Sequence, residues 1–422
     1  MLRKYSVLLM LLPGIVAAQE IKKLDLQQAY DLAQKNYPVI KQKDLVRKTA
    51  DLSVENLSKG YLPQVNINGQ ATWQSDVTTI KGSAIPGLNI QSPDKDQYKV
   101  TADVSQLLYD GGSLREEKLS RRLNADVEVQ RVEVELYSLK ERINQLYFGI
   151  LFIDEQVKQV NLVSQDLATG IKTVEAQVNN GVAFKSNLNL LKAEDLKNRQ
   201  RAIELKASRK GLVETLGLFV AQPLAENVVL ITPNAMAATT APIDRPELKL
   251  FDRQTKMLDQ QNKLITSRVL PRASLFVQGG FGKPGLNMLD NELKFFYIGG
   301  LRLNWSLTGL YTQKREKELV KVNQQLVDVQ KETFLLNTNS QLKQQQSEID
   351  KWQQLVATDN EIIQLRRSVT DAAKAQLENS VITANDYLRE VNAEDQAREM
   401  RITHQVQLLL AQINYQTISG QQ

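Results

Sequence analysis

Four stretches of the chain alternate apolar and polar residues with a period of two. In the first, Val65, Ile67, Ala71 and Trp73 share one face, while Asn66, Asn68, Gln70, Thr72 and Gln74 share the other. In the second, Tyr98, Val100, Ala102 and Val104 lie on one side. The pattern predicts β-strands at about 64–76, 97–107, 272–282 and 294–306. Segments of roughly ten residues with one apolar and one polar face are how membrane-spanning strands read when the enclosed space is wet. On that reading Asn66, Asn68, Gln70, Lys99, Thr101, Asp103, Arg302 and Asn304 face a barrel lumen.

The first and third strands each follow a Leu-Pro, in Tyr61-Leu62-Pro63-Gln64 and in Val269-Leu270-Pro271-Arg272. Proline lacks the N–H a helix interior needs and pushes its predecessor to extended backbone, so a helical stretch ends at each. Long charged helices are predicted at about 112–180 and 310–379, with shorter ones near 24–59, 186–219, 245–268 and 383–418. At 1.5 Å per residue each long helix spans about 100 Å, roughly the summed length of two short ones, so a long helix beside two stacked short ones is expected.

The order helix, strand, strand, long helix occurs twice, which marks a duplicated unit. The halves are divided at 19–230 and 231–422. Leu108-Tyr109-Asp110-Gly111-Gly112 leads into the first long helix and Leu307-Thr308-Gly309 into the second. Past each long helix comes a turn, Asn180-Gly181-Val182-Ala183 or Asn379-Ser380-Val381, and then a restart capped by Asn, Asp, Ser or Thr.

Arg3 and Lys4, the apolar run Tyr5–Ile15 and the small residues Val16-Ala17-Ala18 predict a signal peptide over 1–18, cut before Gln19. Nowhere else does an apolar run approach the ~18 residues of a transmembrane helix. An exported chain of this kind meets a membrane through strands. Strands in hydrocarbon must close into a barrel, and barrels begin at about eight strands. One chain supplies four, so oligomerisation is expected.

There is no cysteine, which excludes a disulfide framework and thiolate metal sites. The net charge of +5, or +3 once Arg3 and Lys4 are removed, is spread through mixed-sign helices, and no concentrated basic patch points to nucleic acid.

The two Leu-Pro junctions, the Tyr-Asp-Gly-Gly turn and the paired turns at Gly181 and Asn379 resemble the TolC-type outer-membrane efflux protein family over essentially the whole mature chain. The resemblance implies a mainly helical homotrimer in which each chain lends four strands to a twelve-stranded barrel in outer-membrane lipid, above a coiled-coil helical barrel in the periplasm. It further implies a periplasmic adaptor protein and an inner-membrane pump or exporter as partners. Gly181, Val182, Ala183, Asn379, Ser380 and Val381 match the helix tips where adaptors dock in this family. Asp386 falls where the family often lines its closed aperture with an acid. The first-half position is Asn187, and Arg389 stands where some members carry a further acid, so a pair of Arg389 with Glu390 or Asp386 across the aperture is a candidate latch.

Other motifs carry less. Gly280-Phe281-Gly282-Lys283-Pro284-Gly285 spells a dinucleotide fingerprint, but a strand follows where a helix is required, so a hairpin loop is expected. His404 is the only histidine and has no partner set for metal or catalysis, so it reads as a solvated or interfacial helix residue. Trp73, Tyr98, Phe281, Phe295, Phe296, Tyr297 and Trp305 read as a membrane-interface girdle. No catalytic constellation and no cofactor site is apparent. The expectation is an exit duct for efflux or type I secretion, with a periplasmic coiled-coil adaptor or scaffold as the alternative.

Overall fold

The computed structural model describes residues 21–78, 92–234, 242–288 and 290–421. The expected signal peptide lies outside the described residues. The elements run β1 (Ile21–Leu24), α1 (Leu26–Asn36), α2 (Lys41–Ser58), β2 (Gln64–Trp73), β3 (Asp96–Tyr109), α3 (Ser113–Asn179), α4 (Lys185–Val220), β4 (Leu224–Leu230), α5 (Pro246–Arg268), β5 (Arg272–Lys283), β6 (Lys294–Asn304), α6 (Gly309–Glu378) and α7 (Ala384–Ser419). Among the described residues no helix is long and apolar enough to cross a membrane.

Two compact units divide these elements. One gathers described residues within 21–40, 133–246 and 334–421; the other holds 41–132 and 247–333.

The second unit contains a four-stranded antiparallel sheet in the order β2-β3-β5-β6. Each Leu-Pro acts as its residues require: Leu62 is extended at φ −81°, ψ 156° and β2 starts two residues later. The Tyr-Asp-Gly-Gly turn also has a local cause. Asp110 accepts from the N–H groups of Gly112 (2.9 Å) and Leu114 (2.6 Å), satisfying donors left over at the start of α3. Gly111 holds φ +70°, and a Cβ there would lie 2.6 Å from Leu270 Cβ and 2.8 Å from the Ser267 carbonyl oxygen. Only glycine fits that approach.

The first unit is built on α3, α4, α6 and α7. Leu167, Val174, Leu191, Leu377, Tyr387 and Val391 pack into one apolar cluster near the helix ends. Elsewhere in this unit β1 pairs in parallel with β4, and the hydroxyl of fully buried Tyr147 donates to the carbonyls of Leu24 (2.9 Å) and Ile231 (2.7 Å), clamping the two strands.

Three details depart from the expectations. The stretch near 24–59 is not one helix: Asp25 caps α1 with a capping box, and a 3-10 turn at Pro38–Ile40 separates α1 from α2. Strands β1 and β4 were not expected at all. The GFGKPG motif is mostly strand, since β5 runs to Lys283 before the chain turns.

Candidate functional site: a two-faced sheet and paired helix tips

Direct cross-strand partners share a face of a sheet. Ile67 pairs with Ala102, Val65 with Val104, Val104 with Val277 and Leu275 with Leu301. This face is apolar and exposed along its length. Its charged strand positions, Asp96 and Lys283, sit at the end remote from the helices and pair with each other at 3.3 Å. Exposed Trp73, Tyr98, Phe281, Phe295 and Tyr297 ring that same end.

The opposite face is polar, and all eight residues expected at the lumen lie on it. Register aligns Asn66 with Asp103, Asn68 with Thr101 and Gln70 with Lys99, and Arg302 and Asn304 follow through Ser274 and Arg272 of β5. Asp103 is its hub: it accepts from Asn68 (2.5 Å), from Gln278 and from Thr101 (3.4 Å). Thr101 itself is only 3 % exposed, so it belongs to the packing of this face.

Two aromatic rings stand on this face that the sequence did not place there. Phe276 packs beside Gly300 and carries Arg302 over its ring at 4.4 Å; Phe296 packs beside Gly282 and carries Lys99 at 5.0 Å. Phe296 is buried and therefore leaves the expected outer girdle. The signal was present as glycines at period-two positions on the neighbouring strands, which leave room for a ring.

The helix tips share one geometry. At the end of α3, Val182 N–H reaches Gln177 O (2.9 Å) and Gly181 N–H reaches Val178 O (3.0 Å); at the end of α6, Val381 reaches Gln376 (2.8 Å) and Ser380 reaches Leu377 (3.0 Å). Both are Schellman ends, which need one left-handed residue. Gly181 supplies it at φ +76° and Ser380 at φ +59°. Gln177 ties the tips together, donating to Leu377 O (2.7 Å) and Ser380 Oγ (3.2 Å). Beyond them Val182, Phe184 and Val381 project at 67 %, 79 % and 70 % exposure. Ala183 is half-buried and Asn379 folds back, its side chain donating to Ala375 O at 2.8 Å.

Asp386 is not the helix cap. Thr383 caps α7, accepting from Asp386 N–H at 3.2 Å, and Asp386 completes the box by accepting from Thr383 N–H (3.2 Å) and Oγ1 (2.7 Å). These bonds from Thr383, with Arg389 adding less, hold the Asp386 carboxyl below its usual range. The first-half restart lacks the device: α4 begins after Phe184, which offers no side-chain cap, and Asn187 sits half-buried in its first turn. Exposed Arg389 pairs along its own helix, with Glu390 at 3.2 Å and Asp386 at 4.0 Å. Glu390 instead bridges α7 to α6 through Arg366, at 3.7 Å. Behind the tip, burial and then Glu394 push the Asp166 carboxyl up.

His404 is interfacial rather than solvated. Its Nδ1 lies 2.6 Å from Asp359 on α6, and its ring tilts against Trp352 with centroids 5.3 Å apart. Among the described residues no group of side chains suited to a metal ion occurs.

Residues 29–218 match the model of a family described as outer membrane efflux protein. Over that stretch, a little under half of the chain, the sequence is similar to the family. Solved structures agree in fold. CusC is 14 % identical, with a TM-score of 0.67 over 100 % of this chain and 99 % of that one. The CmeC outer membrane channel of Campylobacter jejuni is 14 % identical, with 0.63 over 94 % and 85 %. The MtrE outer membrane channel of Neisseria gonorrhoeae is 15 % identical, with 0.64 over 94 % and 89 %. At such identities the likeness shows the fold. No curated protein sequence matches the chain.

Proposed function

We propose that the chain is the exit duct of a tripartite efflux or type I secretion system, working as a homotrimer whose chains close twelve strands in the outer membrane. The observation that carries this is the sheet: four strands with an exposed apolar face, a polar face, and open edges at β2 and β6. In lipid such edges leave N–H and C=O groups unpaired at several kcal/mol each, so copies must join edge to edge. A row of exposed apolar residues on α6, Leu319, Val322, Leu326, Val329 and Leu336, keeps near-heptad spacing and suits packing against another copy.

Conduction is passive along the polar face, and the energy comes from an inner-membrane pump or exporter. The tip turns, 181–183 and 379–381, offer an adaptor an apolar handle. Engagement there opens an iris at the periplasmic end, where Asp386, Arg389 and Asn187 stand within the first two turns of α7 and α4. The duplicated halves, divided near 230, supply equivalent tips. A relative, MtrE, is described in an open state, which accords with such a gate.

Fractionation of cells making the native precursor, followed by the mass of the detergent-extracted protein, tests the reading. A trimer in the outer membrane supports it. A monomer extractable without detergent contradicts it.

A further inference from the structure

The polar face of the sheet carries an unbalanced charge. Its strand positions include four cations, Lys99, Arg272, Lys294 and Arg302, against one carboxylate, Asp103. Lys294 is held by Asp290 and Glu292. The other three have no salt-bridge partner among the described residues. Asp103 is bound by neutral amides and a hydroxyl, so it forms no ion pair with any of them.

Register sorts these charges into levels. Lys99 lies beside Gly282 and Lys294 at the end remote from the helices; Asp103 lies beside Gln278 mid-strand; Arg302 and then Arg272 lie towards the helices. The stacking of Lys99 over Phe296 and Arg302 over Phe276 holds each cation by a ring face instead of a counter-ion, leaving the charge available to solutes. Charges of one sign on a wetted wall backed by low-dielectric material focus their field into the enclosed space and enrich counter-ions there.

We infer that the strand-lined part of the conduit favours anionic, carboxylate- or phosphate-bearing solutes, with Lys99, Arg272 and Arg302 setting the preference. The inference rests on the proposed trimeric duct, because only closure turns this face into a lumen.

The test is the reversal potential of the purified mature protein in planar bilayers under a KCl gradient. Chloride preference is expected. The pair Lys99→Gln and Arg302→Gln shifts the chloride-to-potassium permeability ratio towards potassium by about threefold, and Asp103→Asn shifts it the opposite way. Each variant is first shown to keep the wild-type assembly band on detergent gels. Conductance that prefers potassium, or a ratio that neither variant moves, overturns the inference. A wild-type protein that runs as a monomer on those gels overturns the duct itself.

Discussion

Thr383→Ala isolates one side of the tip. The substitution removes the oxygen that accepts from Asp386 N–H and the hydroxyl that donates to the Asp386 carboxylate, at 3.2 and 2.7 Å. Loss of a threonine N-cap costs about 1 kcal/mol, within roughly 0.5–2, which multiplies the local opening constant about fivefold. The effect should stay in the first turn of α7, because Tyr387 and Leu388 anchor the next residues in the apolar cluster. Hydrogen exchange resolved by mass spectrometry reads this directly. Amides of 384–388 should exchange about fivefold faster in the variant, while the first turn of α4, which has no side-chain cap, should be unchanged. The pH dependence has a definite sign. The Asp386 carboxyl is held below its usual range, so its contribution is complete above the unfolded value of about 4 and is lost as pH falls through the lower folded value. The difference between wild type and variant should therefore narrow in acid. Unchanged exchange at 384–388 at neutral pH, or a change of equal size in α4, would refute the capping argument.

Gly111→Ala should sharply lower the yield of folded protein in outer-membrane fractions, because it combines a left-handed backbone with contacts of 2.6 and 2.8 Å to Leu270 and Ser267. Gly181→Ala, where φ is +76° but nothing lies within 4 Å of a Cβ, should cost only about 1 kcal/mol, seen as faster exchange confined to the end of α3. Burial lowers the Lys140 ammonium to about 8, with Asp31 opposing less. Its charged form is thus penalised in the fold below that value, and stability should rise from about pH 8 to 10.5, the unfolded value. Lys140→Met should abolish this rise in the thermal midpoint, although loss of the ring contacts with Tyr30 and Tyr137 offsets part of the gain at neutral pH.

The strands were legible because period-two alternation and Leu-Pro junctions are local signals, and their observed ends fall within about three residues of the expected ones. Long helices were equally plain. What escaped depends on partners far along the chain. Ile21–Leu24 is too short to show a period, and it becomes a strand only by pairing with 224–230. Phe296 read as part of the outer girdle, and only the pairing that sets Gly282 beside it shows that its ring lies on the polar face. Asp386 drew attention as an acid after a turn, yet the cap is Thr383, three residues earlier, a spacing the sequence displays as Thr-x-x-Asp. The pairing of His404 with Asp359 joins helices 45 residues apart in sequence and had no local signature.

In the proposed trimer β2 of one copy closes on β6 of the next. The natural chain has no cysteine, so cysteine pairs can be introduced without background. One cysteine at Asn66 or Asn68 in β2 and one at Arg302 or Asn304 in β6 of the same chain should, on oxidation in intact outer membranes, give a reducible ladder that stops at three chains. Cysteines at the equivalent heights of β3 and β5, which already pair within a chain, should give no ladder. A β2–β6 ladder that runs past three, or the absence of any intermolecular bond at every pair, would contradict the account.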